Sequence, residues 1–185
     1  HFRVHLFVFA FTDKPVSPTD LSFIHNHTTS FSLLRTEAPR PPKTLLRILG
    51  RALSPIPTLL QEYPDSLAEE IKRAIPDNLR VEHIHVFRLS LSRIGELLAK
   101  KLRLKTDNLV LDMDDFESES ARRKLLLDRP HLGRLMSFSE SVDILKTRRL
   151  ERKMSKVYGV SFLCSDVDKQ KFLHRNTKAK IAVVP

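Results

Sequence analysis

Residues 111–120, LDMDDFESES, concentrate the side chains best suited to chemistry in this chain. The apolar run Leu109-Val110-Leu111 gives way there to three aspartates, two glutamates and two serines. In an open α/β sheet, ligands bind in the crevice beyond the carboxyl ends of the strands, so carboxylates at such a position are well placed to meet one. A helix start needs only one Ser or Asp as its cap. Asp112, Asp114, Asp115, Glu117 and Ser118 exceed that need. The block reads either as a ligand-facing site or as an over-capped helix start.

Two enzymatic chemistries fit Asp112-Met113-Asp114. A strand ending in Asp-x-Asp resembles the first motif of haloacid-dehalogenase-type phosphatases, where the first Asp is a nucleophile and the second an acid/base. That motif continues to Thr two residues after the second Asp, where this chain has Phe116. Alternatively the pair could hold a divalent cation beside a nucleotide diphosphate, because hard cations prefer carboxylate oxygen.

Other residues offer narrower options. Arg88, expected at a neighbouring strand end, could pair bidentately with Asp114, Asp115 or Glu117, or anchor a substrate phosphate. His83 and His85 fall on one face of a strand, but no third ligand lies near, and alternation with Val81, Ile84 and Val86 suits an ordinary strand. Ser165 opens a Ser-x-x-Asp helix signal; it can cap the helix or offer the helix N-terminus to an anion. The single Cys164 closes the apolar run 160–164 and is expected to be a buried, inert thiol. Alone, it excludes an internal disulfide and a multi-cysteine zinc site, and its usage fits a reducing compartment. His25 and His27 are expected in an exposed polar loop.

The elements that must position these groups follow from pattern. Residues 2–11 read as a buried strand, stopped by Asp13-Lys14-Pro15. Prolines at 39, 41, 42, 55 and 57 make 13–80 a variable region rich in loops. Helical spacing within it marks 43–53 and 66–75, the latter capped by Asp65 or Ser66. Alternation predicts a strand at 81–87, then a helix at 92–102 and a strand centred on 109–111. A helix is expected at 118–127, stopped before Pro130. The longest, 132–156, carries an apolar stripe of Leu135, Phe138, Val142, Leu145, Leu150 and Met154, with a candidate kink at 137–141. A strand at 157–164, a helix from Ser165 and a strand at 180–184 complete the chain. This alternation predicts an α/β fold: one domain, 1–185, with a Rossmann-like parallel sheet, right-handed crossovers and flanking helices.

Composition narrows the function classes. With 41% hydrophobic and 29% charged residues the chain reads as globular, and no apolar run approaches the roughly 20 residues of a membrane helix. Only four glycines occur, at 50, 95, 133 and 159, so neither G-x-G-x-x-G nor a P-loop can be built. The net charge of +10 invites a nucleic-acid partner. Its basic residues are mixed with acids, however, and with no Trp and two Tyr a base-stacking surface is poorly supplied. An anionic membrane surface or a phosphate-bearing ligand is the better match.

The same residues carry a family resemblance. Val110 to Ser118, then Leu150-Glu151-Arg152, then Phe162-Leu163-Cys164-Ser165, then Val183-Val184-Pro185 are similar in order and spacing to the amino-terminal half of GT-B-fold glycosyltransferases of the family-four, group-one type. His5 to Phe9 resembles that family's second strand, so the chain reads as a half-enzyme truncated at both ends. The resemblance covers most of 1–12 and 81–185; residues 13–80 match in pattern alone.

The resemblance implies a hexosyltransferase that moves a sugar from a nucleotide-sugar donor to a sugar or lipid-linked acceptor, with retention and without a cofactor or metal. This chain would form the acceptor-side wall; the donor would be held mainly by a carboxyl-terminal domain, so the isolated chain is expected to be inactive. Asp112, Asp114 and Asp115 would be the catalytic candidates, with Arg88, Glu117, Ser118 and Ser165 binding substrate. The implied location is cytoplasmic, with peripheral membrane contact. Two alternatives stay open: an Asp-dependent phosphatase or metal-dependent hydrolase, and a non-catalytic basic binding module.

Overall fold

Runs of β-branched and aromatic residues alternate with amphipathic segments, and the chain folds accordingly into parallel strands with helices between them. A computed structural model describes residues 3–11, 17–36 and 45–184. The expected strand stop at Asp13-Lys14-Pro15, the prolines Pro39, Pro41 and Pro42, the helix start at Lys43 and the terminal Pro185 lie outside the described residues. The elements in order are β1 (His5–Phe11), α1 (Pro18–His27), β2 (Ser30–Thr36), α2 (Leu45–Leu53), α3 (Leu67–Ala74), β3 (Ile84–Phe87), α4 (Ser92–Leu102), β4 (Leu109–Asp112), α5 (Glu117–Asp128), α6 (Arg134–Val157), β5 (Val160–Leu163), α7 (Asp166–Arg175) and β6 (Ile181–Val183). A short 3₁₀ turn, Thr58–Glu62, joins α2 to α3. The class is α/β, with parallel sheets flanked by helices.

The strands form two sheets. β1 pairs with β2, and β3-β4-β5-β6 lie side by side in chain order; every pairing is parallel. One face of the larger sheet presents Val86, Leu109, Leu111 and Leu163, which bury against Ala99 of α4, Leu150 and Met154 of α6 and Phe172 of α7. The other face presents His85, Phe87, Val110, Asp112, Val160 and Phe162. None of these joins a core cluster, and Phe87 is 53% exposed. A second cluster clamps α3 to α4 through Leu67, Ala68, Ile71, Ile94 and Leu98, with Phe7 and Phe9 of β1 and Leu34 of β2 packed on it. That cluster ties the small sheet to the helical layer that covers β3.

The helix at 92–102 matches its expected limits, and Arg103 closes it in the left-handed conformation at φ 55°, an ordinary helix ending. Gly95 in this helix faces Tyr158, whose hydroxyl donates to the Ser92 carbonyl at 2.6 Å. A Cβ at Gly95 would lie 2.4 Å from both Tyr158 Oη and Val86 Cγ2. Gly→Ala inside a helix normally stabilises by about 1 kcal/mol. Here the sign inverts: Gly95→Ala is expected to cost about 1–3 kcal/mol through overpacking, lowering the melting temperature by roughly 2–10 °C in a thermal melt.

Two expectations are corrected. The proline-rich region holds a helix and a strand, α1 and β2, and His27 ends α1 with Nδ1 against the Phe23 carbonyl instead of lying in a loop. α6 is one helix over 24 residues, residues 137–141 included. Its buried face matches the apolar stripe only in part: Leu150 and Met154 are buried as expected, but Phe138 and Leu145 are 60% and 52% exposed, while Ser139, Asp143, Lys146, Thr147 and Glu151 are buried. α2 covers the polar side. Arg51 reaches Glu140 at 2.7 Å and Asp143 at 3.1 Å, and Lys146 donates to the Arg51 carbonyl at 2.7 Å.

Candidate functional site

The acidic block sits where β4 ends, beside the carboxyl ends of β3 and β5. Asp112 closes the strand: its carbonyl accepts from Arg88 N at 2.6 Å and its Oδ1 accepts from Asp114 N at 3.0 Å. That second bond is an Asx-type turn, and it lifts the chain out of the sheet. Asp114 sits at φ 60°, and Asp115 N returns to the Met113 carbonyl at 2.7 Å. Met113 and Phe116, both 2% exposed, anchor the loop from below, so Asp114 and Asp115 face solvent while Glu117 begins α5. Phe116 rests edge-on against Phe172 with centroids 5.3 Å apart. The alternation of buried and exposed residues here presents carboxylates from a fixed backbone.

Arg88 stands across from this block with φ 75° and ψ 144°, a region that essentially glycine alone occupies at ease. Its guanidinium lies over the Phe87 ring, 5.7 Å from the centroid. The bidentate pairs expected with Asp114, Asp115 or Glu117 do not form; among the described residues Arg88 makes no ion pair. It acts through space instead, lowering the carboxyl pKa values of Glu62 and Glu117. Burial outweighs it in both. Glu117 is pushed above the usual carboxylate range first by burial and then by Asp115, with Glu62 and Asp114 adding to the effect. Glu62 is raised by burial.

Two carboxylates were missed by sequence reasoning. Glu62 arrives on the 3₁₀ turn from the proline-rich region, whose path no local pattern reveals. Glu151, in the middle of α6, is 2% exposed and accepts both Ser118 N at 2.8 Å and Ser118 Oγ at 2.7 Å. It thereby caps α5 from another helix, and burial pushes its pKa up to about 7. Its place in the Leu150-Glu151-Arg152 motif was the available signal. Phe87 is the third omission; it is the register partner of Asp112, so the two side chains share the uncovered face.

The remaining candidates divide. Ser118 is fully buried on Glu151 and does not line the crevice, which corrects its expected substrate role. Ser165 accepts Asp168 N at 3.1 Å and caps α7, as its motif suggests. Cys164 is exposed, not buried: its Sγ lies 3.8 Å from Asp115 Oδ1, because β5 ends one residue earlier. Partial desolvation and the carboxylates of Asp115, Asp114 and Asp168 push its thiol pKa up, away from nucleophilic use. Asp115, Cys164 and Asp168 place one ligand atom each within 4.8 Å of one another, a spacing that could hold a metal ion. Asp168, however, is already committed to Ser165 and lies 3.6 Å from Arg123. His85 Nε2 lies 4.0 Å from Asp112 Oδ2 on the uncovered face, and His83 precedes the strand.

The strand ends thus gather Glu62, Arg88, Asp112, Asp114, Asp115 and Glu117, with the exposed Phe87 ring beside Arg88 and Asp112. Comparison with known proteins adds no relative: no protein-family model, curated protein or solved structure matches this chain.

Proposed function

We propose that this chain supplies the acceptor-side wall of a glycosyltransferase cleft, with the crevice at the ends of β3 and β4 as its sugar site. One observation carries the reading: exposed carboxylates, a cation and an exposed aromatic ring lie together where an α/β sheet meets ligands. Sugar hydroxyls are donors that ionised carboxylates accept strongly, and the apolar C–H face of a pyranose packs on a ring such as Phe87. Glu117, whose pKa burial and the neighbouring Asp115 raise, stands beside the solvent-facing aspartates as the candidate proton-exchanging group. Arg88 is the cation for a nucleotide-sugar phosphate or an anionic acceptor.

The phosphatase alternative is weaker on geometry. One oxygen of Asp112 is tied into the turn, and Phe116, where that motif has Thr, is buried in the core. Calorimetric titration with free hexoses and nucleoside-diphosphate hexoses checks the proposal. Binding is expected, with Asp115→Asn and Glu117→Gln each weakening it roughly 10-fold or more, the usual scale for a lost charged hydrogen bond. Magnesium-dependent hydrolysis of a phosphate ester, lost in Asp112→Asn, would establish the alternative instead.

A further inference from the structure

The net charge of +10 is not spread evenly over the molecule. The acidic crevice occupies the strand ends, and the outer surface of the helical layer is basic. Between α4 and α6 runs a groove of about 460 Å³ whose floor includes Leu60, Leu150 and Met154. Its lining carries Arg93, Lys100, Lys146, Arg149 and Lys153 with the carboxylate of Glu96; Arg93 is paired with Asp65 and Lys146 is buried on the Arg51 carbonyl, which leaves Lys100, Arg149 and Lys153 as the accessible cations. Glu96 is shared by Lys100 at 2.8 Å and Lys153 at 2.7 Å, so it offsets only part of that charge.

The outward stripe of α6 continues the groove wall. Phe138, Leu145, Arg149, Arg152 and Lys156 recur at the spacing of one helix face, and all five are exposed. Two large apolar side chains more than half exposed on a basic stripe are out of place on a merely solvated helix, which would carry polar residues there. They are the composition of a helix lying at a bilayer surface, with apolar groups at the acyl boundary and cations at the headgroups.

We propose that the outer surface of the α4/α6 layer docks on an anionic lipid bilayer. Arg149, Arg152 and Lys156 meet the headgroups, the groove takes lipid phosphate among its cations, and Phe138 and Leu145 enter the headgroup boundary. Nucleic acid shares the charge preference but gives no favourable place to Leu145, and this surface offers no series of stacking rings. The proposal stands apart from the sugar site: vesicle binding and hexose binding can each fail while the other persists.

Flotation with lipid vesicles tests it. Binding is expected to phosphatidylcholine vesicles containing 30% phosphatidylglycerol, weakly or not at all to pure phosphatidylcholine, and to fall as salt rises from about 0.1 to 0.5 M. The triple reversal Arg149→Glu/Arg152→Glu/Lys156→Glu, at exposed positions, is expected to weaken binding at least about 30-fold, since each basic residue near such a surface contributes roughly 1 kcal/mol. Phe138→Ser/Leu145→Ser should remove the salt-resistant part. The same charge change in the loops before β3, β4 and β6, as Arg80→Glu/Lys105→Glu/Lys178→Glu, should matter far less, and circular dichroism confirms that each variant is folded. Equal binding to neutral vesicles, equal loss in the two triple variants, or tighter capture of RNA than of anionic vesicles at the same salt would overturn the proposal.

Discussion

Arg88→Gly is expected to make this protein more stable and to disable its site. The φ of 75° and ψ of 144° at Arg88 cost of order 1–3 kcal/mol for any residue with a Cβ. Glycine relieves that strain, while its greater freedom in the unfolded chain takes back about 0.4–1 kcal/mol. The net gain is about 1 kcal/mol, a rise in melting temperature of roughly 2–4 °C for a chain of this size. The same change removes the cation of the crevice and is expected to weaken binding of a phosphate-bearing nucleotide sugar about 10- to 100-fold. Thermal melts and calorimetry on one preparation read both effects. Strain at a purely structural turn would be relieved with no loss of binding, so the paired result separates a functional residue from an accident of the loop.

The second large effect concerns Glu151. Its folded pKa of about 7 lies above the ordinary value of 4.5, because burial disfavours the charged form more than the two bonds from Ser118 favour it. The folded state therefore binds more protons than the unfolded state between those values. The associated stability is fully present below about pH 4.5 and is lost as pH rises through about 7, an amplitude of order 3 kcal/mol. Glu151→Gln keeps an acceptor for Ser118 N and never ionises, so its stability curve should be flatter from pH 5 to 8. Glu62 and Glu117, also raised, leave a residual slope of the same sign. Glu151→Leu strands the Ser118 N–H and hydroxyl in the core and is expected to cost about 2–4 kcal/mol at all pH values. Urea denaturation of the three proteins at pH 5, 6, 7 and 8 measures this directly. A wild-type curve that rises from pH 5 to 8 would contradict the assignment.

The legibility of this molecule varied with how local its determinants are. α4 and the cap at Ser165 could be read because periodicity and a capping motif act within a few residues. The strand ends carrying Arg88 and Asp112 followed from apolar runs that stop sharply. α1 and β2 were hidden by prolines, which announce breaks but do not forbid a short helix with Pro18 in its first turn or the strand that follows. α6 was misread in its first half for a different reason, although Leu150 and Met154 are buried as expected. Hydrophobicity selected Phe138 and Leu145 for the core, but α2 and the start of α5 supply partners to Glu140, Asp143, Lys146 and Glu151, so the polar side is covered instead. Glu62 and Cys164 depend on where distant segments finish, which no window of sequence contains.

The crevice therefore rests on two kinds of support: a rigid apolar base of Met113 and Phe116, and backbone strain at Arg88 and Asp114 that the surrounding fold holds in place. The acids expected to do chemistry are there, joined by Glu62, and the buried Glu151 fixes the helix on which Glu117 stands.

The measurement that tests the sugar-site reading most directly is a heteronuclear NMR titration of this chain with a hexose and with a nucleoside-diphosphate hexose, without added metal. Saturable shifts confined to the amides of Phe87, Arg88 and residues 112–117, and lost in Glu117→Gln, are the predicted result. Shifts elsewhere with that segment unmoved, or no saturable shift at all, would contradict the assignment of this crevice as a sugar site.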